Sequence, residues 1–168
     1  MKKIILVTLF IFSCIAIRAQ QTISIEADGN LEAPNPCGCI ELSAVTNQNN
    51  PAEILIGMGK CIELKQFDKA AAMFAIAGVY GKFDTFRVKD KTAHQALLVL
   101  QQNILLNIDE SSRNTFIDSL KKMLKTGSTE LSAVCQTIQK IGMPKYYPKY
   151  MMQHGIQAFT ASEGNGLT

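Results

Sequence analysis

The chain has no catalytic signature of a recognised kind. It contains no H-E-x-x-H, no G-x-S-x-G and no phosphate-binding glycine loop. Its two histidines, His94 and His154, have no Cys, Ser or carboxylate partner at a catalytic spacing. The acids stand singly apart from Asp109–Glu110, which read as a helix start rather than a general acid/base pair. Those absences argue against an enzyme and imply no cofactor and no metal. A four-thiolate zinc site normally takes two C-x-x-C pairs, and only one short cysteine pair is present. Strongly alternating strand patterns are missing from residues 51–142, which leaves an all-α fold.

Excess charge is also missing from most of the chain. The 17 basic residues outnumber the 14 acidic ones only through Lys2, Lys3 and Arg18, so residues 20–168 are neutral. A neutral surface gives no reason to expect nucleic acid as a partner. The three basic residues belong to "MKKIILVTLFIFSCIAIRAQ". Two lysines precede an apolar run from Ile4 to Ile17, and small Ala19 stands before Gln20. That is the layout of a secretory signal peptide, and the run is too short for a membrane span. Residues 1–19 are expected to be a signal peptide removed after Ala19, leaving a periplasmic or secreted chain. The alternative is a lipid anchor at Cys14, although bulky Phe12 fits a lipidation box badly.

Four cysteines remain: Cys37, Cys39, Cys61 and Cys135. In an exported chain an even number predicts disulfides. Only Gly38 separates Cys37 from Cys39, so the expectation is that each reaches a different helix, one to Cys61 and one to Cys135. Residues 20–50 then form an irregular N-terminal arm strapped across the helical domain, 51–160, with a frayed tail at 161–168.

Five helices follow from periodicity and caps. The first begins at Pro51 with Asn50 as cap and Glu53 three residues on. The second spans about 67–79, and a loop, "GKFDTFRVKD", follows at 81–90. The third, about 91–107 with Asp90 as cap, is apolar nearly all round and is expected at the centre. The fourth covers about 111–125. The fifth covers about 129–141, capped by Ser128, with Leu131, Val134, Cys135 and Ile138 inward. A short sixth helix can begin at Pro148. The result is a compact bundle or short α-hairpin array of five to six helices.

Within it, "QFDKAAAMFAIA" at 66–77 resembles the second-helix half of a tetratricopeptide or Sel1-like repeat, with Phe67, Ala70, Phe74 and Ala77 at the matching positions. The preceding "ILIGMGKCIEL" has the matching length, but Gly57 and Gly59 flank the usual glycine position and Cys61 replaces an aromatic. The likeness covers residues 52–80, one partial unit. It implies a helical hairpin and, by the family's usual role, binding to other proteins.

The remaining signal is "MPKYYPKYMMQHGIQAF", 143–159, which gathers Tyr146, Tyr147, Tyr150 and His154. Tyrosine offers a large ring and a polar tip, which suits both an interface and the closed end of a bundle. The partner-binding candidates are these four residues together with Arg87, and Tyr147 and Tyr150 are the expected contact rings. The function expected is protein–protein binding, as an inhibitor or immunity-type protein or an envelope adapter with an unknown protein partner. A small envelope enzyme or ligand-binding protein with a dispersed site is the alternative.

Overall fold

The computed structural model describes residues 26–160 and 167. The expected leader, its cleavage point and Cys14 lie outside the described residues. The elements are α1 (Pro51–Glu63), α2 (Phe67–Arg87), α3 (Ala96–Leu106), α4 (Glu110–Met123), α5 (Thr129–Ile141), α6 (Lys149–Met152) and α7 (Gln157–Thr160). Single 3-10 turns stand at Leu42–Ala44 and Lys91–Gln95. No strand occurs among the described residues, only an isolated bridge between Val88 and Leu167. The fold is all-α, with an irregular arm before α1. Leu167 packs against the core; the rest of the tail, 161–166 and 168, lies outside the described residues.

Caps account for the helix starts. Asn50 Oδ1 accepts from the Glu53 amide and Glu53 Oε2 accepts from the Asn50 amide, both at 3.0 Å, closing the capping box. Asp90, Asp109 and Ser128 cap the segments at 91, 110 and 129, their side chains accepting from the Thr92, Ser112 and Leu131 amides. Gly142, at φ of 76°, caps the end of α5, and Gly127, at φ of 79°, takes the turn between α4 and α5.

Two expectations about position fail. The loop at 81–90 is mostly helix, because α2 runs unbroken to Arg87. No proline interrupts it, and Phe83 and Phe86 continue the stripe of Val79 at helical spacing. The central helix is α2, packed on α1, α4 and α5, rather than the third. Ala70, Ala71, Ala72 and Ala77 keep its surface low enough for neighbours to approach from several sides. Helix α3 is peripheral: only Ala96 and Leu100 are buried, while Leu98 and Leu106 face solvent. High hydropathy did not decide which helix sits inside; the shape of the surface did.

The arm crosses α1 at Gly57. A Cβ there would stand 2.6 Å from the Gly38 carbonyl oxygen and 2.9 Å from Cys37 Cβ, so a glycine is what lets the strap lie against the helix. The buried Glu53 holds the same segment through the Asn35 amide at 3.0 Å, and its backbone carbonyl accepts from the Cys37 amide at 3.1 Å. Cys39 is disulfide-bonded to Cys61. The second expected bridge is absent: Cys37 is a buried thiol and Cys135 an exposed one. Cys37 lies against α1 at Gly57, whereas Cys135 sits on α5 at the groove between α2, α4 and α5.

Candidate functional site

Three of the five partner-binding candidates converge on a residue that sequence reasoning passed over. Asp84, on the inner side of α2, is closed to solvent. Its Oδ2 accepts from the Tyr146 hydroxyl at 2.9 Å and the Tyr150 hydroxyl at 2.8 Å. Its Oδ1 accepts from Arg87 Nε at 2.8 Å, and Arg87 Nη2 lies 2.7 Å from the same oxygen as a charge contact. That nitrogen is itself shut away without an aligned hydrogen bond. The guanidinium also lies 4.9 Å from the Tyr146 ring centre and 5.5 Å from that of Phe83.

Burial raises the Asp84 carboxyl above its ordinary value; the Tyr150 hydrogen bond and the Arg87 charge pull against it. Burial and the adjacent Asp84 charge push both tyrosine hydroxyls well above their ordinary range, so they remain donors. The carboxylate and both tyrosine rings are shut off from solvent. The work of the cluster is to fasten the segment after α5 onto α2, with Tyr80 adding a hydrogen bond to the Gly142 carbonyl at 2.9 Å. Tyr146 and Tyr150 are therefore core, Arg87 is half-buried beside them as the partner of Asp84, and the expectation that Tyr150 is a contact ring is corrected. The helical turn at 149–152 rotates Tyr150 inward, leaving Tyr147 as the ring at the surface, 60% exposed.

His154 belongs to a second tie. Its Nδ1 lies 2.9 Å from Asn30 Oδ1, joining the arm to the C-terminal segment, and burial lowers its pKa. Nearby, the buried Asp90 accepts from the Thr92 hydroxyl and amide and from the Gln157 amide. Burial opposes its charge, but these donors outweigh it and hold the carboxyl below its ordinary range. His94 Nε2 is 2.9 Å from the Val88 carbonyl oxygen. Burial, then the charge of Glu53, push the Cys37 thiol up to about 11, which suppresses its thiolate. Among the described residues no group of three His, Cys, Asp or Glu side chains is placed to hold a metal.

The open feature is on the other side of α2. A groove of about 530 Å³ runs between α2, α4 and α5. Phe74, Gly78, Val79 and Phe83 form its α2 wall, Leu120 comes from α4 and Leu124 from its C-cap, and Leu131, Cys135 and Ile138 from α5. A second hollow of about 260 Å³ shares Val79, Phe83 and Ile138 and continues it to Met143. Val79, Leu124 and Met143 are 46%, 53% and 72% exposed. This corrects the fifth helix: only Val134 of its stripe is buried, and Leu131, Cys135 and Ile138 border the groove. A period of 3.6 marks an apolar face without saying whether the chain itself covers it. Among the described residues Lys82 is the one charged side chain lining the groove, its Nζ 4.9 Å from the Phe86 ring centre. Phe83 links the two regions, bordering the groove while its ring carries Arg87.

No protein-family model, curated protein or solved structure matches the chain.

Proposed function

We propose that this is an exported helical protein that works by holding another protein in the groove between α2, α4 and α5. The observation that carries the reading is the run of large apolar side chains left uncovered there, Val79, Leu124 and Met143 among them. The hairpin likeness to tetratricopeptide and Sel1-like units at 52–80 supports the same class of function, and the leader at 1–19 supports export. An inhibitor or immunity-type protein and an envelope adapter are both versions of it.

The test pairs function with location. Intact mass of the protein from the cell envelope should match a chain beginning at Gln20; an acylated Cys14 would make it membrane-anchored instead. A partner recovered in fixed stoichiometry should be lost with Leu124→Glu while the melting curve stays put. A partner retained by that variant removes the groove from the reading. A metabolite recovered in the groove supports the ligand-binding alternative.

A further inference from the structure

Four glycines of α1 and α2 divide into two kinds. A Cβ at Gly57 would strike the strap, one at Gly59 would touch Ile104 at 3.0 Å, and one at Gly81 would meet Leu97 at 2.7 Å. Each makes room for a neighbour within the chain. Gly78 does not: a Cβ there meets nothing within 4 Å, and its φ is not positive. Glycine in a helix interior is unfavourable relative to alanine, and nothing among the described residues requires it here. Its place is on the groove wall, between Ala75 and Val79. It leaves a hole of the kind a large side chain from a facing helix fills.

Length and charge describe what would fill it. The α2 wall extends from Phe74 to Phe86, roughly 18 Å at 1.5 Å per residue, or about three turns of a partner helix. The flanks are basic. Lys82 lines the groove from α2, and Lys121 and Lys125 each follow a groove-lining leucine, Leu120 and Leu124, on its other edge. Lys121 is paired with Asp118, while Lys82 and Lys125 have no ion pair among the described residues. A second copy docked face to face would bring the same lysines against these, which disfavours a symmetric dimer. The leader carries Lys2, Lys3 and Arg18, again of like sign.

Resting on the proposed binding role, we infer that the groove takes an amphipathic helix from the partner protein, its apolar stripe on α2 and α5, one large side chain over Gly78, and carboxylates along its flanks. Helix-in-groove recognition reads anchors at i, i+3 or i+4, and i+7, matching the i, i+4 rows of Phe74, Gly78, Lys82 and of Ala75, Val79, Phe83.

Cys135 supplies the readout, being an exposed thiol at the groove, while buried Cys37 reports unfolding. The probes are 14-residue helical peptides with a Leu/Phe stripe, prepared in three apolar registers and flanked by either Glu or Lys. At least one Glu-flanked peptide should protect Cys135 from alkylation, and bind about tenfold more tightly than its Lys-flanked twin at low salt. Lys82→Glu with Lys125→Glu should invert that preference. Gly78→Leu should abolish protection, and its melting curve should show that it folds. Equal protection by both flanks overturns the acidic-helix assignment and leaves the binding role standing. Protection by neither overturns the groove itself. Protection that grows with protein concentration alone identifies a second copy, and protection by phosphatidylglycerol vesicles identifies a membrane surface; either one overturns the inference.

Discussion

On the side of α2 facing residues 146–152, Asp84, Tyr80 and Ile76 are shut off from solvent; on the side facing α4 and α5, Val79 and Phe86 remain largely exposed. Both sides are rich in apolar and aromatic residues. The difference is coverage. The first side is closed by a segment rich in tyrosine, whose hydroxyls satisfy a buried carboxylate. The second meets α5 only along Val134 and its neighbours and leaves a trough. An aromatic cluster with a polar tip can therefore be a lock, while a plain aliphatic stripe can be the surface that faces outward.

The largest effect should come from breaking the lock. Asp84→Ala strands the Arg87 guanidinium and two tyrosine hydroxyls, and loss of one partner from a buried charged network costs about 3–5 kcal/mol. Leu124→Glu, on the open side, should change stability by no more than about 0.5 kcal/mol. Equal losses in urea melts of the two variants would erase the contrast between the sides. The lock also has a pH signature. Burial holds the Asp84 carboxyl above 3.8, so just above that value the folded chain binds a proton the unfolded chain has released. Stability should decline as pH rises through that window, and Asp84→Asn should flatten the slope.

Next in size is the strap. Cys39→Ala opens a loop of sequence separation 22, which in the chain-entropy model removes about 3 kcal/mol. Cys135→Ala, an exposed thiol on the groove side, should leave the midpoint within about 0.5 kcal/mol of the parent. A large loss at Cys135 would mean that the groove face carries stability as the strap does.

Local chemistry made the helices legible and tertiary choice hid the site. Asn50 with Glu53, Asp90 and Ser128 announce their helix starts, because a cap acts within one turn and its partners are neighbours in sequence. Asp84 announces nothing. It stands 62 and 66 residues from the tyrosines that donate to it, and a lone acid beside Phe83 and Phe86 looks like surface. A signal was present: an acid at the third position from Arg87, on the side of α2 that carries Ile76, Ala77 and Tyr80. The groove was hidden for a different reason. The stripe of α5 reads the same whether or not another element of the chain covers it. Cys135 was drawn inward by the same stripe, and with it the second disulfide.

Gly78→Ala probes the open side at smaller scale. The new methyl enters free space, so the variant should gain about 0.5–1 kcal/mol from helix propensity and the lower entropy of its unfolded state. Gly81→Ala, against Leu97 at 2.7 Å, should lose stability. Thermal melts of the pair decide whether Gly78 is free of internal duty; a loss at Gly78 would show that the trough is covered by the chain itself.

The smallest effect is expected at Tyr147, and it isolates what coverage alone does. Tyr146, Tyr147 and Tyr150 lie within five residues and share one chemistry. Tyr146 and Tyr150 are buried and donate to Asp84, so removal of either ring costs the burial of an aromatic, about 3–5 kcal/mol. Tyr147 is turned out by the residues before Pro148, and among the described residues its hydroxyl has no hydrogen-bond partner. Tyr147→Ala should therefore stay within about 0.5 kcal/mol of the parent in denaturant melts. The same variant can then be assayed for partner binding without a stability correction. Weakening by 2 kcal/mol or more would extend the interface from the groove to the ring, as at a central anchor. Unchanged binding would confine the interface to α2, α4 and α5, with the tyrosine segment acting solely as the fastener behind it.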